Sequence, residues 1–320
     1  SAVTDVRDGT YTAIVTSPTA VGSGVFIATL GGNPVQDGTT SQTQATVTYA
    51  VGAADAAHST LTPTSASITA DGASTQVLTV TAHDANGNAL GIGGAIVTII
   101  RQSGTGTIGA VTDVGNGTYT ATATSPTAVG SGVFVATLGG DPVQDGTASQ
   151  TQATLTYAVG AVNAARSTLT PASASITADG ASTQVLTVTA LDANGNALST
   201  GGATVTITRQ SGSGSISAVT DVGDGTYTAT VTSPTAVGSG IFVATLGGSS
   251  VQDGTASQTQ STVTYTVGAA DAARSTLTPT STSITADGTS TQVLTVTALD
   301  AHGNALSTGG ATVTITRQSG

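Results

Sequence analysis

The chain has 320 residues, and its charge is sparse and one-signed: six Arg and seventeen Asp, with neither Lys nor Glu, leave a net charge of −11. That balance excludes nucleic acid and anionic lipid as partners, because both are held by cationic surfaces. The absence of Cys excludes disulfides, thiol nucleophiles and Cys-ligated zinc, and the absence of Lys excludes a Lys–Asn isopeptide crosslink.

No apolar run reaches the roughly 18 residues that a membrane helix requires, so the fragment is read as not membrane-embedded. The motif Asp-Val-x-[Asp/Asn]-Gly-Thr-Tyr-Thr-Ala starts at Asp5, Asp113 and Asp221, an exact period of 108 residues. A unit of that length is a domain and not a solenoid turn. Ser1 aligns with Gly109 and Ser217, and Gly320 with Gly212. The expected partition is therefore 1–57, the C-terminal part of one domain; 58–165 and 166–273, two complete domains; and 274–320, the N-terminal part of another. The Val-Gly-Ala-x-x-Ala-Ala stretches at 51–57, 159–165 and 267–273 are expected to be short, stiff joints.

Within the complete copy, Thr62-Pro63 and residues 65–69 predict a first strand broken at the proline. Asp71-Gly72 predicts a turn. Residues 76–83 then alternate, with Leu78, Val80 and Ala82 on one face and Val77, Thr79 and Thr81 on the other, which is a strand with one buried side. Asp84-Ala85-Asn86-Gly87-Asn88 predicts a tight polar turn. Residues 95–101 resume the alternation, but Ile96 and Ile100 stand where the next copy has Thr204 and Thr208, so both isoleucines are expected on the surface. Residues 108–113 read as one short strand, and Asn116-Gly117 as a hairpin turn. That turn also explains the Asn-Gly-Thr glycosylation pattern without sugar. Tyr119, Ala121 and Ala123, then Phe134, Ala136 and Leu138, then Ala153, Leu155 and Tyr157 are the expected inward residues of three later strands. Residues 139–149 between the last two read as a long acidic loop. About seven short strands with no helical periodicity predict an all-β fold, a two-sheet sandwich.

Ser-Ile-Thr-Ala-Asp-Gly (67–72), Asp-Ala-Asn-Gly-Asn (84–88) and Asn-Gly-Thr-Tyr-Thr-Ala (116–121) resemble the bacterial Ig-like domain, group 1, of invasin/intimin adhesins. The resemblance runs through the whole chain, three times in register. It implies tandem immunoglobulin-like β-sandwich domains in an extended rod, an extracellular location at the bacterial cell surface, and a role as stalk modules. With a ten-residue strand spanning roughly 34 Å, three such domains end to end would reach on the order of 100 Å.

The copies act as internal controls on chemistry. His83 is matched by Leu191 and Leu299, His302 by Asn86 and Asn194, and His58 by Arg166 and Arg274, so no histidine recurs. With no Glu and no recurrent His, no acid–base or nucleophilic constellation can be assembled, and an enzyme is not expected. Calcium is the one cofactor with candidate ligands. Asp84, Asn86 and Asn88 alternate oxygen side chains around a glycine, although no bidentate carboxylate follows at the required spacing. Asp55 and Asp71 are candidates for an ion shared at the joint, weakened by Asn163 at the position of Asp55 in the next copy. An Asx-stabilised turn without metal is the favoured reading. The recurring Arg101, Arg209 and Arg317 are expected to pair with a nearby Asp.

The leading functional expectation is a structural spacer in a cell-surface adhesin or fibre, whose partners are neighbouring Ig-like domains of the same or an adjacent chain. The alternative is a self-assembling extracellular filament, a homopolymer joined head to tail by complementation of the split terminal domains.

Overall fold

The computed structural model describes residues 1–319; Gly320, the last residue of the expected fourth segment, lies outside them. Strands are the only regular elements among the described residues. The chain forms two compact units, Ser1–Ala158 and Val159–Gly320.

The first unit contains one complete sandwich. Its strands are β1 (Ala54–Thr62), β2 (Ser65–Thr69), β3 (Thr75–Asp84), β4 (Val97–Gly104), β5 (Thr107–Ile108), β6 (Thr112–Asp113), β7 (Thr118–Thr124), β8 (Gly130–Leu138), β9 (Asp141–Pro142) and β10 (Gln152–Ala158). One sheet has the order β5-β7-β3-β1, with β6 also on β7; the other has β4-β8-β10-β2, with β9 on β8. Pro63 separates β1 from β2, and the two halves of the broken first strand belong to opposite sheets. β2 runs parallel to β10, whereas the other pairings are antiparallel. This is an immunoglobulin-like arrangement.

The alternation seen in the sequence sets what lies between the sheets. Leu78, Val80 and Ala82 of β3, Tyr119, Ala121 and Ala123 of β7, Phe134, Ala136 and Leu138 of β8, and Ala153, Leu155 and Tyr157 of β10 are all buried in one cluster. Burial of each large member stabilises by about 1.5–3 kcal/mol. The tyrosine hydroxyls inside are satisfied: Ala95 N donates to Tyr119 Oη at 2.9 Å, and Tyr157 Oη donates to Thr105 O at 3.0 Å. Outward positions are mostly threonine, as at Thr79 opposite Thr120 and Thr81 opposite Thr118, which suits a half-solvated pleated surface. Ile96 and Ile100 are exposed, at 78% and 53%.

Two segments differ from expectation. Residues 108–113 are not one strand: β5 and β6 each hold only two residues, and both pair with β7. The interval is spanned by Gly109 N donating to Thr122 O at 2.9 Å. Residues 139–149 are not a free loop either. β9 pairs with the end of β8, and Val143 is fully buried in the core. Behind it, Gln144 N, Asp145 N and Gly146 N donate to Ala56 O, Ser59 O and Ala57 O at 3.1, 3.0 and 2.7 Å. One apolar residue in a polar run is enough to dock it, and the docked backbone then finds acceptors along β1.

The second unit repeats the sandwich with the same strand orders; Ser173–Thr177 lies parallel to Gln260–Thr266, as β2 does to β10. Residues 1–50 carry further short pairs, chiefly Gly22–Ile27 with Gln44–Tyr49, and Thr276–Thr278 pairs with Thr295–Thr297 near the other end.

A test of this core compares two truncations by urea unfolding. Leu155→Ala is expected to destabilise by about 2–5 kcal/mol. Ile100→Thr, which installs the residue of the next copy on an exposed position, should stay within about 0.5 kcal/mol of the parent. A large loss for Ile100→Thr would contradict the assignment of the two faces.

Candidate functional site

The polar turn after β3 is where the chain concentrates its buried charge. Asp84 follows Leu78, Val80 and Ala82 on the inward face, so the alternation carries a carboxylate into the sandwich end, where it is 2% exposed. Asp84 N donates to Asn88 O and Gly87 N to Asp84 O, both at 2.9 Å, and Gly87 supplies the left-handed residue with φ of 81°.

Every side of the carboxylate is engaged. Oδ1 accepts from Asn86 N at 3.0 Å, from Asn88 N at 2.9 Å and from Asn88 Nδ2 at 3.1 Å. Oδ2 accepts from Asn88 Nδ2 at 3.0 Å and from Gly52 N at 2.9 Å. Gly52 lies in the joint, which is further pinned by pairing of Ala54 with Asp84 and Asp55 with His83. Asn88 also reaches backwards: Nδ2 donates to Thr19 O at 2.8 Å, and Oδ1 accepts from Val21 N at 3.4 Å. One Asp–Asn pair thus ties a turn of the sandwich, the joint before it and the backbone of the preceding segment together.

The second unit contains the same clasp. Asp300 accepts from His302 N and Asn304 N at 2.9 Å each, from Asn304 Nδ2 at 2.9 Å and from Gly268 N at 3.1 Å. Asn304 Nδ2 donates to Thr235 O at 2.9 Å, and its Oδ1 accepts from Val237 N at 3.3 Å. Around Asp192 the turn is also preserved, with Gly160 N at 3.0 Å and Asn194 N and Asn196 N at 2.9 Å. His302 in place of Asn86 is accommodated because Asp300 takes the main-chain N–H of that position.

The structure therefore brings Asp84 and Asn88 together and uses Asn86 through its backbone N–H. Asp55, at the start of β1, and Asp71, in the turn after β2, have separate partners. Asp55 Oδ1 accepts from His58 N and lies 3.1 Å from His58 Nδ1. Asp71 accepts from Ala73 N, Ser74 N, Ser74 Oγ and Ser125 Oγ at 2.8, 2.6, 2.6 and 3.1 Å. Among the described residues, no three His or Asp side chains are grouped as a metal site.

Arg101 corrects an expectation. Its Nη1 donates to the carbonyl of Gly106, and Arg209 does the same to Gly214, in place of an Asp partner. The glycine loop after β4 brings a backbone carbonyl to the guanidinium first. The partners that the sequence did not disclose are Thr19 and Val21. Their signal is Ser-Pro-Thr-Ala-Val, which recurs unchanged at 17–21, 125–129 and 233–237 although the segment belongs to no strand core.

Hydrogen bonds from Asn88, then from Gly52 and the other turn amides, hold the Asp84 carboxyl well below the ordinary carboxylate range. Ser74 does the same for Asp71. A depressed carboxyl contributes stability that is complete above its unfolded value, about 3.9, and is lost as pH falls below it toward the folded value. Denaturant midpoints should therefore hold level from pH 7 to about 4 and drop below that. Asp84→Asn should lower the neutral midpoint and flatten the acid drop; parallel curves for the two proteins would contradict the assignment.

The family model for Invasin, domain 3, matches residues 55–159, 163–268 and 271–320. Similar solved structures include invasin, a bacterial integrin-binding protein, at 26% identity and TM-score 0.47, over 78% of this chain and 46% of that one. FdeC, an Escherichia coli adhesin, gives 27% and 0.49 over 80% and 77%, and InvD of Yersinia pseudotuberculosis gives 26% and 0.46 over 79% and 73%. This chain spans less than half of the invasin structure. No curated protein matches the chain. Matched in tandem over well more than half of its length, the chain belongs to the Invasin domain 3 family.

Proposed function

We propose that this chain is a structural spacer, part of the stalk of a bacterial cell-surface adhesin or fibre, working outside the cell. Its modules are taken as 1–57, 58–165, 166–273 and 274–320, with neighbouring Ig-like domains as their partners. The observation that carries the reading is the repeated clasp. Asn88 and Asn304 each bond the backbone of the preceding segment while holding their own turn. A module joined to its neighbour through directional bonds, anchored on a buried carboxylate, adds length without adding a hinge. Membership of the Invasin domain 3 family supports the reading. The chain's own residues agree: Asp71, Asp84 and Asp113 are engaged by turn backbones. Repetition suits this task because each further copy adds reach and no new chemistry.

The test is to lengthen the chain by whole 108-residue copies and follow its maximum dimension by small-angle scattering. A linear rise, roughly 34 Å per copy, unchanged by a calcium chelator, is the expected result. Growth that levels off, as folded-back copies would give, would refute the spacer.

A further inference from the structure

A spacer between two anchored ends also carries tension, and the topology of the sandwich is specific about where that tension falls. We propose that the parallel pair β2–β10, with its counterpart in the second unit, is the load-bearing element of each module, strained in shear when the chain is pulled from its ends. The proposal rests on the spacer reading only for its biological setting; the mechanical claim concerns the sandwich alone.

The strands pair from Thr154 opposite Ser65 to Ala158 opposite Thr69. Thr154 N donates to Thr64 O at 2.9 Å at one end of the ladder, and Ala70 N donates to Ala158 O at 2.8 Å at the other. Load from the N-terminal side passes along β1 and through Pro63 to the beginning of β2. Load from the C-terminal side reaches the end of β10. In a parallel pair those two points lie at opposite ends, so the strands are drawn past each other and the whole ladder must yield at once. An antiparallel pair loaded at its outer ends would open bond by bond.

Side chains oppose the same motion. Leu155 and Tyr157 are buried, and Ala66 and Ile68 pack against the same core. A slip by one residue would turn each of these to the wrong face.

The second unit is an independent copy. Ser173 to Thr177 pairs in parallel with Thr262 to Thr266, bracketed by Thr262 N to Ala172 O at 2.9 Å and Ala178 N to Thr266 O at 2.8 Å. Two side chains add bonds across that seam, Ser261 Oγ to Pro171 O at 2.6 Å and Thr266 Oγ1 to Ile176 O at 3.3 Å. Forced unfolding follows the unfolding barrier and not the equilibrium stability, so this element's role is read only by pulling.

The chain has no Cys, so introduced cysteines give unique handles, and Thr64, Gln152 and Ala158 are exposed. Thr64→Cys with Ala158→Cys applies force to opposite ends of the pair. Thr64→Cys with Gln152→Cys applies it to the same end and unzips the identical bonds. Single-molecule pulling should find a severalfold higher unfolding force for the first pair, with both variants matching the parent in denaturant midpoint. Equal forces would overturn the proposal. If a variant fails to fold, Ala172→Cys with Thr266→Cys or with Gln260→Cys repeats the comparison in the second unit. Equal forces alongside a linear gain of length per copy would remove the clamp and leave the spacer. Unequal forces with length that levels off would do the reverse.

Discussion

The arrangement depends on a carboxylate placed where a strand should have ended in an apolar residue. Asp84 occupies the last inward position of β3 and is buried with Leu78, Val80 and Ala82. A buried carboxylate is costly unless its acceptor sites are filled, and here the filling is done by three backbone N–H groups and one Asn amide. One of those N–H groups belongs to Gly52, outside the sandwich proper. Satisfying the charge therefore requires the joint to come in, and Asn88, oriented by the same carboxylate, has its remaining polar atoms directed at Thr19 and Val21. The need to solvate one Asp becomes a mechanical link between successive segments.

The rest of the sandwich is economical. Its aromatic content is low, at 3%, so Leu, Val and Ala supply most of the packing and the two tyrosines and one phenylalanine of each complete copy fill the centre. Other aspartates act as turn formers. Asp71 gathers Ser74 and Ser125, and Asp113 accepts from Gly94 N at 2.7 Å and Gly115 N at 2.8 Å. The negative charge of the chain is thus largely organised by backbone and hydroxyl donors. Among the described residues, the one basic side-chain nitrogen within 4 Å of a carboxylate is His58 Nδ1, 3.1 Å from Asp55 Oδ1.

Much of the fold was legible because period-two alternation and turn residues are local signals. The faces of β3, β7, β8 and β10, the break at Pro63 and the exposure of Ile96 and Ile100 could be read from the residues alone. Other features could not, among them two long-range contacts. Docking of residues 141–146 on β1 depends on Val143 finding the core, which no local pattern states. The parallel seating of β2 on β10 is a contact across about ninety residues. At the candidate site the sequence marked Asp84, Asn86 and Asn88 by their repetition and favoured an Asx-stabilised turn over a cation, without naming the turn's partners. The partners are backbone N–H and C=O groups, which are present at every position and leave no trace in residue identity. Only the unchanged Ser-Pro-Thr-Ala-Val segment pointed to them. His302 shows the same limit from the other side: a side chain changed, and the main-chain bond it sits on did not.

The most direct measurement of the central claim is amide hydrogen exchange at Gly52 and Gly268 in the intact chain. If the buried carboxylates hold the joints, both amides exchange far more slowly than an open peptide, and Asp84→Asn releases Gly52 while leaving Gly268 protected. Exchange of Gly52 at the open-peptide rate in the parent protein, with the amides of β3 still protected, would contradict the account.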